Sequence, residues 1–123
     1  MGNITDRDID CLLRILDYCD RIQALVDRFG DSFENYQKDE AYQDAIKMNL
    51  FQIGETVNNL SDPCREEMHD IPWHQMYGMR NVIAHGYERV QEKRVWNTVE
   101  KDIPDLFGRI SDKLWDIGVN PEE

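Results

Sequence analysis

Residues 5–30 read TDRDIDCLLRILDYCDRIQALVDRFG. Apolar side chains recur at Ile9, Leu12, Leu13, Leu16, Cys19, Ile22, Val26 and Phe29, the three- and four-residue steps that lay one stripe along a helix. Thr5 with Asp8 three residues on resembles a capping box with Asp in place of the usual Glu, and Gly30 supplies a stop. The stretch predicts one long amphipathic helix, which must bury its stripe against other elements.

The same period continues. Asp31 to Lys38 reads as a polar linker, and Tyr42, Ala45, Ile46, Leu50, Ile53, Val57 and Leu60 form a second stripe, with Met48 and Phe51 on the opposite side beside Glu55. Two apolar faces on one helix fit either a core plus a partner subunit, or a domain that wraps both faces itself. Ser61-Asp62-Pro63 stops that helix and starts a short one. Asp70-Ile71-Pro72 caps a third main helix, with Pro72 in its first turn, running through Trp73, Met76, Met79 and Ile83 to an end near Gly86. The last run carries Val95, Val99, Ile103, Leu106, Ile110, Leu114 and Ile117, but Pro104 lacks an amide donor and should kink or break it. No strand-like alternation, repeat or low-complexity segment competes. The expected fold is all-α, an up-and-down helical bundle with its last helix kinked at Pro104, formed by residues 1–123 as a single domain.

The longest apolar runs fall far short of the roughly 20 residues a membrane span needs, and the N-terminus lacks a signal peptide's regions, so a cytoplasmic protein is expected. Cys11, Cys19 and Cys64 are odd in number, and the first two lie too far apart along one helix to bridge; neither disulfides nor a cysteine metal site is expected. A net charge of −11 argues against a nonspecific nucleic-acid coat. Yet residues 80–94 hold four basic side chains (Arg80, Arg89, Lys93, Arg94) against two acidic ones (Glu88, Glu92), a local +2 on a body of −13. Such a patch can hold one phosphate while the body repels long duplexes; the alternative is an ordinary charge mixture on a solvated face.

Several chemistries are absent: no glycine-rich phosphate loop, no Gly-x-Ser-x-Gly elbow, no His-Glu-x-x-His, and only one half of a two-metal bundle motif, Glu66 with His69. What remains is Gly78-Met79-Arg80-Asn81-Val82-Ile83-Ala84-His85-Gly86-Tyr87. Arg80 offers a planar fork of donors suited to phosphate, and His85 is of the one residue type that both takes and gives a proton near neutrality. Metal-free RNA cleavage requires those two functions, because the ribose 2′-OH must lose a proton and the phosphorane must be stabilised. DNA lacks that hydroxyl. Five residues of helix turn through about 500°, so Arg80 and His85 diverge by about 140° unless the helix ends between them. A two-fold homodimer would bring two copies of the segment around one phosphate.

These residues resemble the HEPN superfamily, and within it the HepT toxins, whose signature is Arg-x4-His-x-Tyr; Arg80, His85 and Tyr87 match it in register. The likeness extends through Gln52-Ile53-Gly54-Glu55, Ile71-Pro72-Trp73, Gly78-Met79-Arg80-Asn81, Val95-Trp96 and Ile103-Pro104-Asp105-Leu106. It implies an all-helical dimer acting as a metal-independent endoribonuclease with Arg80 and His85 catalytic. It also implies a cognate minimal nucleotidyltransferase antitoxin that silences the toxin by transferring AMP onto Tyr87. Where such sequences commonly carry Asp after the tyrosine, this chain has Gln91.

Each residue also has a plainer reading. Arg80 alone would be a surface ion pair, His85 a capping or hydrogen-bonded histidine, Tyr87 an ordinary amphipathic aromatic. Asn81 either supports the phosphate or imidazole or caps a turn. Glu55, off the core stripe, either pairs with Arg80 or is solvated. Trp73 and Trp96 read as core or interface anchors, and His69 and His74 as surface residues. The rival function is a noncatalytic helical module that binds a nucleotidyltransferase or a nucleotide.

Overall fold

The computed structural model describes residues 3–86 and 89–122. Seven α-helices follow in order among them: α1 (Asp6–Phe29), α2 (Phe33–Gln37), α3 (Glu40–Asn58), α4 (Asp62–Glu67), α5 (Trp73–Gly86), α6 (Glu92–Asn97) and α7 (Ile103–Asp116). No strand occurs among the described residues, and no helix there is long and apolar enough to cross a membrane. The all-α expectation is met.

Helix α3 lies at the centre, packed on α1 along one side and on α5 along the other, while α7 closes against α1. Its stripe of Tyr42, Ile46, Leu50, Ile53 and Val57 meets Leu12, Ile15 and Ile22 of α1 and Leu106, Ile110 and Leu114 of α7 in one buried cluster. Each such side chain, fully buried, contributes roughly 1.5–3 kcal/mol. Trp73 and Trp96 belong to that cluster, as the sequence suggests.

The start of α1 is fixed by the predicted box. Thr5 Oγ1 accepts from the Asp8 amide at 3.0 Å, and the Asp8 carboxylate accepts from the Thr5 amide at 3.1 Å. Asp8 does more than cap: it also takes the Ser61 amide at 2.9 Å and the Ser61 hydroxyl at 2.7 Å, tying α1 to the α3–α4 junction. Burial pushes the Asp8 carboxyl up, but the hydrogen bonds from Ser61 and Thr5 outweigh it and hold the group below the usual carboxylate range.

The polar linker expected at Asp31–Lys38 is instead a helix, α2. Ser32 caps it by accepting from the Asn35 amide, and Tyr36 is wholly buried within an aromatic cluster, 5.4 Å from both the Tyr42 and Trp96 rings. The stretch reads as polar because one fully buried aromatic, with Phe33 partly packed beside it, carries it, and so few residues set no period. The Tyr36 hydroxyl then donates to Glu92 Oε1 at 2.6 Å, and buried Lys47 of α3 pairs with Glu92 Oε2 at 2.5 Å. This group of three fastens the start of α6, where the chain returns after the Arg80–Tyr87 segment.

Pro72 sits just before α5, its carbonyl accepting from Gln75 and Met76, rather than within the first turn. The Asp70 carboxylate pairs with Arg109 of α7 at 2.7 Å, so it braces the bundle. The break forced by Pro104 is displaced upstream: residues Thr98–Asp102 form a π-helical turn in which the Ile103 amide reaches back to Thr98, and Pro104 then starts α7, where its missing donor costs nothing. The helical path from Glu92 to Asp116 is thus continuous but widened, rather than cut.

Candidate functional site

Arg80 is placed by a close approach of two helices. A methyl group on Gly54 of α3 would lie 2.2 Å from Arg80 Cβ and 3.2 Å from the Met76 carbonyl oxygen of α5, so only glycine lets α5 come this near. The approach sets Arg80 beside the next residue of α3: its Nε donates to Glu55 Oε1 at 2.5 Å. Nη1 donates to Asn81 Oδ1 at 3.0 Å. The guanidinium carbon lies 5.1 Å from the centroid of the Phe51 ring and 5.8 Å from that of Tyr77. With 23% of its side chain exposed, Arg80 is thus a half-buried cation on an aromatic floor, oriented at two of its nitrogens.

Glu55 and Asn81 are therefore joined to Arg80, and the pairing of Glu55 is present. His85 is exposed in the last turn of α5. Because α5 continues to Gly86, no helix end intervenes between Arg80 and His85, and they project about 140° apart. One chain does not gather both around a single point. Tyr87 lies outside the described residues.

Three contributors to this surroundings carry no role in the sequence reading. Phe51 stands out there only as an off-stripe apolar residue, although Phe51 and Glu55 are one helical turn apart and share a face. Tyr77 precedes Arg80 by three residues, the spacing that places it under the guanidinium. Gly54 has no period to reveal it, since its partner is 26 residues away.

The basic patch is sharpened by Glu92, which Lys47 and Tyr36 draw inward, while Arg89, Lys93 and Arg94 remain exposed. Gln91 stands at the cap position of α6 and makes no side-chain cap bond. The cysteines offer no competing nucleophile. All three are buried, and burial pushes the Cys19 and Cys64 thiols up to about 12. His69 and His74 are exposed, as expected.

The helix thus carries a half-buried guanidinium, fixed by an acid and an amide and able to orient an anion, and on another side an exposed imidazole able to move a proton. Comparison with known proteins places the chain. The family model described as Ribonuclease HepT-like matches residues 15–112, a span that contains Glu55, Arg80, Asn81, His85 and Tyr87. The chain is 36% identical over 104 residues to a protein of Caldanaerobacter subterraneus subsp. tengcongensis named "Putative RNase", an overlap covering 84% of this chain and 90% of that one. It is 35% identical over 77 residues to the "Probable ribonuclease HepT" of Thermococcus cleftensis, covering 63% and 70% respectively. A Methanocaldococcus jannaschii "Putative RNase" is 32% identical over 101 residues, covering 81% and 82%. No solved structure gives a match. The chain belongs to the HepT-like ribonuclease family, a HEPN family.

Proposed function

We propose that residues 1–123 form one HEPN-like domain that is a metal-independent endoribonuclease, the toxin of a toxin–antitoxin pair, acting on RNA at a homodimer interface. The observation that carries this reading is Arg80, held half-buried by Glu55 and Asn81 on the helix that also presents His85. One imidazole removes the 2′-OH proton. The 2′-oxygen then bonds to phosphorus while the P–O5′ bond breaks, Arg80 stabilises the charge on the phosphorane, and a second imidazole returns a proton to the 5′-oxygen. The products are a 2′,3′-cyclic phosphate and a 5′-hydroxyl.

The divergence of Arg80 and His85 along α5 favours a site shared between two chains. Met48, 58% exposed on the outer face of α3, favours a partner surface on the same side as Phe51 and Glu55. The cognate antitoxin, a nucleotidyltransferase, transfers AMP to Tyr87. Bulk and negative charge two residues from His85 would then exclude substrate phosphate.

The test is cleavage of single-stranded RNA in excess chelator. Activity is expected from the parent protein and from neither Arg80→Ala nor His85→Ala with their folds intact. Mixing equal amounts of parent protein and His85→Ala should lower the rate to about half that of the parent alone, because half the dimers are mixed and hold only one of the two imidazoles. Intact RNA under all conditions, with a tight stoichiometric complex instead, would turn the assignment to an interaction module. Full activity of a strictly monomeric protein would defeat the shared site. An unmodified Tyr87, by mass, after coexpression with an active nucleotidyltransferase would defeat the modification.

A further inference from the structure

Beside the Arg80 site, α3, α4 and α5 enclose a hollow of about 310 Å³ lined by Val57, Asn58, Arg65, Trp73, His74 and Tyr77. Tyr77 belongs to both places: its ring lies under the Arg80 guanidinium and also walls the hollow. His74, Tyr77 and Asn81 succeed one another at steps of three and four, so the hollow and Arg80 are served by one face of α5. His74 precedes Arg80 by about 9 Å of helix axis, a distance one or two nucleotides can span.

The walls select the ligand. Arg65 does not offer a free cation: its Nη1 donates to the Val57 carbonyl at 3.1 Å and its Nη2 pairs with Asp62. Its one guanidinium is thus turned to its own chain's acceptors. The hollow offers the half-buried ring of Tyr77, an edge of the otherwise buried Trp73 indole, whose Nε1–H donates to the Met68 carbonyl at 3.1 Å, and at its mouth the exposed amide of Asn58 and imidazole of His74. Aromatic surface with an amide donor and acceptor is the chemistry that receives a splayed-out base, whose ring stacks and whose edge hydrogen-bonds.

We propose that this hollow binds the unpaired base of a nucleotide flanking the scissile phosphate. The proposal rests on the ribonuclease reading above and adds a subsite to it. It makes single-stranded RNA the preferred substrate, because a base held in a duplex could not enter.

The probe is a short single-stranded RNA bearing 2′-O-methyl groups, which binds without being cut. Its addition should shift the NMR signals of the Trp73 indole N–H and the Asn58 side-chain amide, together with those of Arg80. Asn58→Ala and His74→Ala, both at exposed positions where folding is not at stake, should jointly weaken binding roughly tenfold and raise KM on unmodified RNA with little change in kcat. Shifts confined to Arg80, Asn81 and His85, with Trp73 and Asn58 unmoved and KM unaltered in the double variant, would overturn the subsite and leave the ribonuclease reading standing. No shift anywhere, with no cleavage of unmodified RNA, would overturn both.

Discussion

Replacing Gly54 with alanine tests the contact on which the placement of Arg80 depends. The added carbon would lie 2.2 Å from Arg80 Cβ, where ordinary contact begins near 3.4 Å, so the two helices must part by about 1 Å. Arg80 Cβ is anchored to the α5 backbone and has no rotamer that clears the clash. Overpacking of this kind costs about 1–3 kcal/mol, while alanine in place of glycine in a helix returns about 1 kcal/mol. The net expectation is a loss of about 0–2 kcal/mol, a fall in Tm of up to roughly 8 °C for a chain of this size. Activity should fall further than stability, by about a hundredfold, because a 1 Å misplacement of a charge-stabilising group has that effect on rate. Gly108 of α7 provides the contrast: nothing lies within 4 Å of a carbon added there, so Gly108→Ala should stabilise by up to about 1 kcal/mol and leave the rate unchanged. Thermal unfolding and initial rates of RNA cleavage on both variants decide the matter. A Gly54→Ala protein as stable and as active as the Gly108→Ala protein would refute the argument that this approach seats Arg80.

Three other perturbations follow from contacts already described. The Asp8 carboxyl is held below its ordinary range in the folded protein, so its contribution is complete above the unfolded value of about 4 and lost as pH falls through the folded value. Asp8→Asn should cost about 1–3 kcal/mol in urea unfolding at pH 7, and the gap to the parent should close in strong acid. Lys47→Met strands Glu92 beside the Tyr36 hydroxyl and should cost about 2–3 kcal/mol, with Glu92→Gln added to it recovering part of that loss in the same assay. Glu55→Ala frees the Arg80 guanidinium and should lower kcat about tenfold, whereas Glu55→Gln, which keeps an acceptor for Nε, should retain most of it.

The long helices were legible because each repeats its message over several turns: most of the α1 stripe, the α3 stripe and the last run as far as Leu114 are buried where periodicity places them, whereas Ile117, just past the end of α7, is exposed. The boundaries at Thr5, Gly30 and Ser61 were legible because capping chemistry is local, a matter of three or four residues. What escaped was whatever depends on a distant partner. Tyr36 is the one fully buried residue in a polar stretch and yields α2 only once the rings of Tyr42 and Trp96 are in place to receive it. Lys47 looks like an ordinary surface lysine until Glu92 arrives from 45 residues away. Pro104 announces a disturbance but not its site, since a proline accepted in a first turn passes the strain to the turn before it, here the wide turn at Thr98–Asp102. The candidate site divides along the same line. Its cation and imidazole are written in one short segment, and the pairing with Glu55 could be anticipated from its position off the core stripe. The aromatic floor and the glycine beneath it belong to the packing of α3 on α5 and are visible only in three dimensions.

That packing bears on how an acidic chain keeps a cation available for RNA. A guanidinium left loose on a body of net charge −11 would be drawn to whichever carboxylate lay within reach. Glu55 commits one edge of Arg80, Nε, and Asn81 takes one hydrogen from Nη1, so the side chain is held in one orientation by weak partners rather than captured whole by a bidentate acid. The hydrogens that remain can meet a phosphate without the side chain first losing its rotamer freedom, and among the described residues an arriving phosphodiester competes with one carboxylate, Glu55. The same geometry limits what a single chain can do. The orientation that serves Arg80 turns His85 to another side of α5, and lengthening the segment between them would disturb the helix that holds both. In the proposed homodimer a second copy related by a two-fold axis would supply the missing imidazole with no change to either chain, and on that reading dimerisation on this face is the simplest way for the Arg80–His85 segment to become a complete site.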